Sequence, residues 1–256
     1  MTGAIQSGAM NADRLNTIEG LMHHIERRVR ELPGANPIPT CPGWTVDDLA
    51  NHLAIVLTRM QVRIETNADS EPNTMPSESP TGVPASEWLA DAYLDLRRTL
   101  LAHDVDDPAW NWTGENQRVG WNLRRLTHEL AIHLVDLDAA SLAPTTPEAL
   151  GIDSLLAAEG LDELFTVFLP ARVGSLSRPI DQPRLLAFIP TDRGGKTWYI
   201  QLERQGFHAS ELEGSPDATI RGTSIALYLF DWNRPADGLS ISGNTIAIQS
   251  FSDIPR

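Results

Sequence analysis

The sequence is poor in cysteine, in basic side chains and in long apolar runs. Cys41 is the single cysteine among 256 residues, so neither an intrachain disulfide nor a zinc knuckle built from thiols can form. The sequence has 20 Lys and Arg but 34 Asp and Glu, and the resulting net charge of −14 repels nucleic-acid phosphates. No apolar run reaches the roughly 18 residues of a membrane span, and no basic, apolar leader is evident. We therefore expect a soluble, cytoplasmic protein that binds neither nucleic acid nor membrane.

Length and periodicity predict two domains. A chain of 256 residues exceeds the usual size of one domain. Apolar residues spaced by three and four predict four amphipathic helices, at about 13–32, 46–60, 86–103 and 119–140. After one more helix at 152–169 the pattern changes to β-rich runs at 184–190, 197–204 and 207–212, then a helix at 224–230 and a strand near 245–250. The predicted fold class is α+β, with a four-helix bundle over residues 11–144 and a small α+β domain over residues 145–256.

One long connection interrupts the predicted bundle. The stretch from about 67 to 85 contains four prolines and many small polar residues, too few of them apolar to pack. We expect it to be a mobile loop and a candidate lid.

The predicted fourth helix carries two side chains suited to hold one ion. Glu129 and His133 are four residues apart, so they project within about 40° of each other, one turn apart. His128 is five residues from His133 and points about 140° away, which excludes the HExxH zinc-protease pattern. With Leu130 at the centre of the apolar stripe, His128 is predicted to lie on the opposite, solvent side. His52 borders the apolar stripe of the second helix. Facing helices of a bundle can bring such groups together.

Two imidazoles and one carboxylate are the ligand count of a catalytic metal site, because one position stays open for water or substrate. We expect His52, Glu129 and His133 to hold a divalent ion, with zinc foremost. Asp136 is a candidate to accept the proton of a ligand imidazole from outside the ligand set. Arg125 lies on the same flank and is a candidate partner of a substrate carboxylate, of Asp136 or of Glu129. The alternative is a structural histidine beside a surface Glu/His pair.

Two neighbours of the second helix allow other roles. Cys41 is a conceivable nucleophile or fourth ligand, although we favour structural packing. Trp44 precedes the helix cap and is expected to pack back on the helix rather than to wall a substrate site.

Several segments resemble one known family. Residues 40–49, TCPGWTVDDL, followed by His52, resemble the N-terminal motif of the mycothiol-dependent maleylpyruvate isomerase family, a branch of the DinB-like four-helix metalloproteins. Residues 124–129, RRLTHE, with His133 and Asp136, resemble its second motif, and residues 159–164 and 218–223 resemble its sterol-carrier-like C-terminal domain. The resemblance implies a divalent metal, usually zinc, on His52, Glu129 and His133, and mycothiol as a thiol cofactor.

The same resemblance implies an enzyme whose thiolate adds to a small electrophile. Addition, bond rotation and elimination would isomerise an alkene, and addition without elimination would be an S-transfer. The expected partners are the thiol and a small-molecule electrophile, and the expected state is a monomer or weak homodimer. Arg221 and Arg234 are the candidate catalytic residues of the second domain that would reach an anionic substrate or the thiol. Two alternatives stay open: a non-catalytic metal- and ligand-binding module, and a metal-activated hydrolase.

Overall fold

The computed structural model describes residues 2–66, 70–72, 78–172, 182–193, 195–204, 206–211 and 214–255, and side chains from residue 13 onward. The chain divides into two compact units, Met1–Gly151 and Ile152–Arg256. The first is helical and the second combines helices with a sheet, so the predicted α+β class is confirmed.

The first unit is the expected four-helix bundle. Its helices are α1 Thr2–Glu31, α2 Val46–Thr66, α3 Ala85–Ala102 and α4 Val119–Ala139, and a short 3-10 turn at Pro147–Leu150 follows. Helix α2 packs on α3, and α1 packs on α4. Parts of the predicted lid, residues 67–69 and 73–77, lie outside the described residues.

Helix α2 begins with a reciprocal cap. The Asp48 carboxylate accepts the backbone N–H of Thr45 at 2.9 Å, and the Thr45 hydroxyl accepts the N–H of Asp48 at 3.3 Å. This arrangement satisfies amides that have no partner within the helix. It fixes the start of α2. The start in turn sets which face of the helix carries the buried residues and where His52 lies relative to them.

Helix α4 contacts α1, α2 and the 3-10 turn, and most of its side chains are buried. His128 is completely buried, with 0% of its surface exposed. The prediction that His128 faces solvent is wrong, because it assumed that α4 buries a single stripe. A helix covered on several sides buries side chains around most of its circumference.

The second unit is a mixed sheet with helices. Helix α5 (Ser154–Glu163) continues through a π-helical turn at Leu164–Phe168 into α6 (Leu169–Arg172). The strands are β1 Arg184–Pro190, β2 Trp198–Glu203, β3 Gly206–Ser210, β4 Ala218–Gly222 and β5 Ser240–Gly243, and the helices α7 Ser224–Asp231 and α8 Thr245–Ser252 flank β5 in the chain. The sheet order is β3-β2-β1-β4-β5, with β1 and β4 parallel and the other pairs antiparallel.

The core of this unit lies between the sheet and the π-helical turn, α7 and α8, and α5 packs on α7. Phe188 of β1 packs against Phe165 and Phe251, each at 4.9 Å between ring centroids. The strand predicted at 245–250 is wrong, because this segment is α8. Asn244 caps α8 by accepting the N–H groups of Ile246 and Ala247. No helix in the described part of the chain is long and apolar enough to cross a membrane.

Candidate metal centre

Helices α2 and α4 bring three potential ligands together. The Nε2 atom of His52 lies 3.1 Å from Oε1 of Glu129, and Nε2 of His133 lies 3.5 Å from the same oxygen. One donor atom from each of the three residues falls within 4.8 Å of the others. The structure therefore places the three sequence-predicted ligand candidates in one cluster.

The spacing of these atoms suits a small divalent ion. Ligands bound tetrahedrally at about 2.0–2.1 Å are separated by roughly 3.3 Å. The observed separations of 3.1 and 3.5 Å lie on either side of that value. Imidazole and carboxylate donors are also ligands that zinc accepts. The residues present fit a zinc-sized ion with one coordination position left for a ligand.

The orientation of His133 is set by a carboxylate behind it. Nδ1 of His133 lies 2.9 Å from Oδ2 of Asp136, whose side chain is fully buried. A carboxylate at that distance accepts a hydrogen bond from Nδ1–H, so Nε2 is the ring nitrogen that faces Glu129 and would bind an ion. Asp136 thus has the position expected of it from the sequence.

The Asp136 carboxylate is itself held by the loop before α2. The hydroxyl of Thr40 donates to Oδ1 at 2.6 Å, and the thiol of Cys41 donates to Oδ2 at 3.3 Å. Cys41, His133 and Asp136 also form a second cluster of potential ligands. No local sequence pattern predicts these contacts, because Thr40 and Asp136 are 96 residues apart and their pairing depends on the fold.

Arg125 holds the other side of Glu129. Its Nη2 donates to Oε2 of Glu129 at 2.8 Å, and only 9% of the Arg125 side chain is exposed. Glu129 was one of the partners predicted for Arg125 from the sequence, and the structure shows this pair. This ion pair leaves Oε1 of Glu129 to face the two histidines.

Local charges and hydrogen bonds determine the ionisation of the cluster. Burial disfavours the Glu129 carboxylate, but hydrogen bonds with His133 and His52 and the charge of Arg125 hold the pKa of Glu129 well below 4.5. Burial also disfavours the His133 imidazolium, but hydrogen bonds with Asp136, Cys41 and Glu129 hold the pKa of His133 well above 6.5. The metal-free cluster therefore carries a proton that an arriving cation would displace.

Trp44 closes one side of the cluster. Gly43 adopts a left-handed conformation, with φ of +85°, in the turn that leads to it, and Ile38 and Trp44 are joined by a backbone hydrogen bond of 2.9 Å. The indole lies 5.0 Å from the ring of His52 and stacks at 6.4 Å on that of His133. Trp44 packs against α2 as expected, but the role assigned from the sequence is incomplete, because its ring also lines a pocket.

The pocket opens beside His52. Its volume is about 680 Å³. Described residues that line it come from the loop before α2, from α2 itself and from the segment before α3: Gly43, Trp44, Asp48, Asn51, His52, Ile55, Glu78 and Ser79. Because a candidate ligand forms part of the wall, a molecule in this pocket would lie next to the ion.

The two arginines expected to be catalytic belong to the second unit. Arg221 lies on β4 and is exposed. Arg234 follows α7, is half-buried, and donates from Nη1 to the carbonyl oxygen of Trp232 at 2.7 Å. Their contact with a ligand stays a prediction.

These features fit the class of four-helix bundles in which facing helices bring candidate metal ligands together. Residues 19–138 match the family model of the mycothiol maleylpyruvate isomerase N-terminal domain. The match covers most of the first compact unit, Met1–Gly151, and none of the second.

Two solved structures share the fold. One is described as the crystal structure of the mycothiol-dependent maleylpyruvate isomerase, with 14% sequence identity, a TM-score of 0.64, and coverage of 91% of this chain and 94% of that chain. The other is described as the H52A mutant of the mycothiol-dependent maleylpyruvate isomerase, with 14% identity, a TM-score of 0.62 and the same coverage. The comparison with curated proteins finds no match.

Proposed function

We propose that this chain is a metal-dependent enzyme that uses a low-molecular-weight thiol, mycothiol, as the nucleophile on a small electrophilic substrate. The observation that supports this most is the cluster of His52, Glu129 and His133 in the wall of a pocket large enough for small molecules. The family model that residues 19–138 match takes its name from a mycothiol-dependent isomerase, which supports this proposal.

His52, Glu129 and His133 would hold the ion. When bound, a divalent ion with one open position lowers the pKa of a thiol that binds there, so that the sulfur is a nucleophilic thiolate at neutral pH. Asp136 keeps the proton of His133 on Nδ1, and Arg125 fixes the second oxygen of Glu129. These two residues therefore orient the ligands.

The thiolate chemistry has two balanced outcomes. Sulfur adds to an activated C=C bond, which becomes a single bond that rotates, and cleavage of the C–S bond then restores the thiolate and releases the isomerised alkene. If the adduct instead takes up a proton on carbon, the C–S bond persists and the reaction is an S-transfer. Trp44 and Ile55 in the pocket wall would keep water from the reacting atoms.

Both units would contribute to turnover. The proposed domains are the bundle, which supplies the ion, and the α+β domain, which supplies Arg221 and Arg234 as cationic groups for an anionic substrate or thiol. The division of the chain into two compact units supports the proposed pair of domains.

The first test is the metal content of the purified protein by mass spectrometry. We expect about one divalent ion per chain, with occupancy lost in His52→Ala and His133→Ala. His23→Ala is the matched control, because His23 is exposed on α1, whereas the buried His128 would perturb packing. Full occupancy in both ligand variants would contradict the proposed site.

The second test follows the zinc-loaded protein with mycothiol and a panel of activated alkenes and other electrophiles. Isomerised alkene with unchanged thiol would identify an isomerase, and stoichiometric loss of thiol would identify an S-transferase. Ester or amide cleavage without thiol would favour the hydrolase. Metal binding with no reaction across the panel would favour the binding module.

A further inference from the structure

The pocket beside His52 has an unusual distribution of charge for a protein expected to handle anions. Its described lining includes two carboxylates, Asp48 and Glu78, together with Asn51 and Ser79. Among the described residues that line it there is no lysine or arginine. Its ionisable side chains other than His52 are thus acidic.

The negative charge of the Asp48 carboxylate is stabilised by hydrogen bonds. Hydrogen bonds from the side chain and the backbone N–H of Thr45 lower the pKa of Asp48. Because this carboxylate also caps α2, it stays ionised and in place over the physiological pH range. The negative potential of this wall is therefore a permanent feature of the fold.

The wall also offers hydrogen-bond acceptors. Asp48, Glu78 and Ser79, whose side chains carry acceptor oxygens, line the same pocket as Trp44. Acceptors around an aromatic face fit a ligand that carries hydroxyl, amide or ammonium donors.

We propose that the part of the ligand that enters this pocket is uncharged or cationic and rich in hydrogen-bond donors, and that carboxylate-bearing groups are excluded from it. This inference rests on the proposed function, since it names the ligand chemistry of the same site. It also separates binding of this part of the ligand from binding of an anionic electrophile. A positive charge for an anionic electrophile has to come from outside this pocket.

Three small thiols of similar length test the inference: cysteamine, which is cationic, 2-mercaptoethanol, which is neutral, and 3-mercaptopropionate, which is anionic. Their binding to the cobalt-substituted full-length protein is measured from the sulfur-to-cobalt charge-transfer absorption. The three thiols differ in intrinsic acidity. The measured quantity is therefore the ratio of the dissociation constants of the anionic and cationic thiols, compared between variants.

Glu78→Gln removes one charge from the pocket without touching the proposed ion ligands. Two charges about 8 Å apart in water-like surroundings interact enough to change binding two- to threefold, in opposite directions for the two thiols. We expect the ratio to fall about fivefold at low ionic strength, and the wild-type ratio to fall on addition of salt. Glu71→Gln is the control. Glu71 is 55% exposed, lies outside the pocket lining and pairs with Arg63 at 3.5 Å.

The outcomes are distinguishable. Charge-transfer bands whose ratio is the same in Glu78→Gln, Glu71→Gln and the wild type would overturn this inference and leave the proposed function intact. The absence of a sulfur-to-cobalt band with all three thiols would overturn the proposed thiol chemistry and this inference with it. A ratio that falls in Glu78→Gln alone supports the pocket assignment.

Discussion

Thr40 provides a direct test of whether the loop before α2 positions the candidate ligand His133. Its hydroxyl donates at 2.6 Å to Asp136, and Asp136 lies 2.9 Å from Nδ1 of His133. Thr40→Val keeps the shape of the side chain and removes the donor. The Asp136 carboxylate, which is fully buried, would then lose one of its hydrogen bonds.

The magnitude follows from the burial and charge of the acceptor. A hydrogen bond to a charged group contributes about 1.5–3 kcal/mol, and substitutions behind a metal ligand typically lower affinity by about 10–100-fold. For Thr40→Val we expect a loss of about 2 kcal/mol in the unfolding free energy of the metal-free protein and about tenfold weaker zinc binding. Cys41→Ala should cost less, because a thiol at 3.3 Å is a weak donor.

Urea denaturation followed by circular dichroism measures the first quantity, and competition with a chromophoric chelator measures the second. Thr40→Ser should restore both, because it returns the hydroxyl. Thr58→Val is a matched control, since Thr58 is also half-buried but bonds only a backbone carbonyl within α2, at 2.8 Å. Equal effects of Thr40→Val and Thr58→Val on zinc affinity would refute the positioning role.

Three further predictions concern protonation, the bundle core and the division of labour. The pKa of His133 is raised well above 6.5 in the metal-free fold, so the protonated ring stabilises that fold at low pH and the benefit disappears as pH rises through the folded pKa. Zinc affinity should therefore increase with pH, and calorimetry in buffers of different ionisation enthalpy should detect proton release. No dependence on pH between 6 and 8 would contradict the raised pKa. Arg28→Met should destabilise the protein by about 3 kcal/mol in urea, because it leaves Asp138, 4% exposed, without its charged partner at 2.5 Å; an effect equal to that of Arg30→Met on the surface would contradict this. A chain ending at Gly151 should fold and bind zinc yet lose turnover, and Arg221→Ala or Arg234→Ala should raise KM or lower kcat at unchanged metal content, by about 1.5–3 kcal/mol. Undiminished turnover by the shortened chain would remove both arginines from the site.

The sequence predicted the bundle well because its helices carry strong periodic and capping signals. The pair Thr45 and Asp48 marked the start of α2, and the four-residue spacing of Glu129 and His133 placed both on one face. The spacing of apolar residues gave the wrong prediction for the exposure of His128, which is buried. A helix enclosed on several sides has no single polar face, so its phase no longer separates buried from exposed positions.

The error at the C-terminal end has a different cause. Ile246 and Ile248 alternate with small residues, a pattern that favours a strand. The cap at Asn244 and the four-residue spacing of the buried Ala247 and Phe251 determine a helix instead, and Ile246 remains 62% exposed. Strand β5, Ser240–Gly243, was missed because all four of its residues are exposed and it lacks an apolar face.

The hydrogen bonds to Asp136 could not be predicted from local sequence patterns. Thr40 and Cys41 meet it across 96 and 95 residues, and nothing in their own neighbourhood indicates an acceptor. Long-range pairs of this kind become visible only when the helices are packed.

His52 and Glu129 are 77 residues apart, and if both hold the proposed ion, the supply of metal would affect the thermal stability of the bundle. An ion that bridged them would bind only the folded bundle, so it would stabilise that state by about 4 kcal/mol when free metal exceeds the dissociation constant a thousandfold. For a unit of this size, such a gain shifts the melting temperature by roughly 10 °C. Protein made in zinc-poor medium would thus melt early and be degraded sooner. A pair of melting curves, one with chelator and one with zinc, would measure occupancy before any substrate is known.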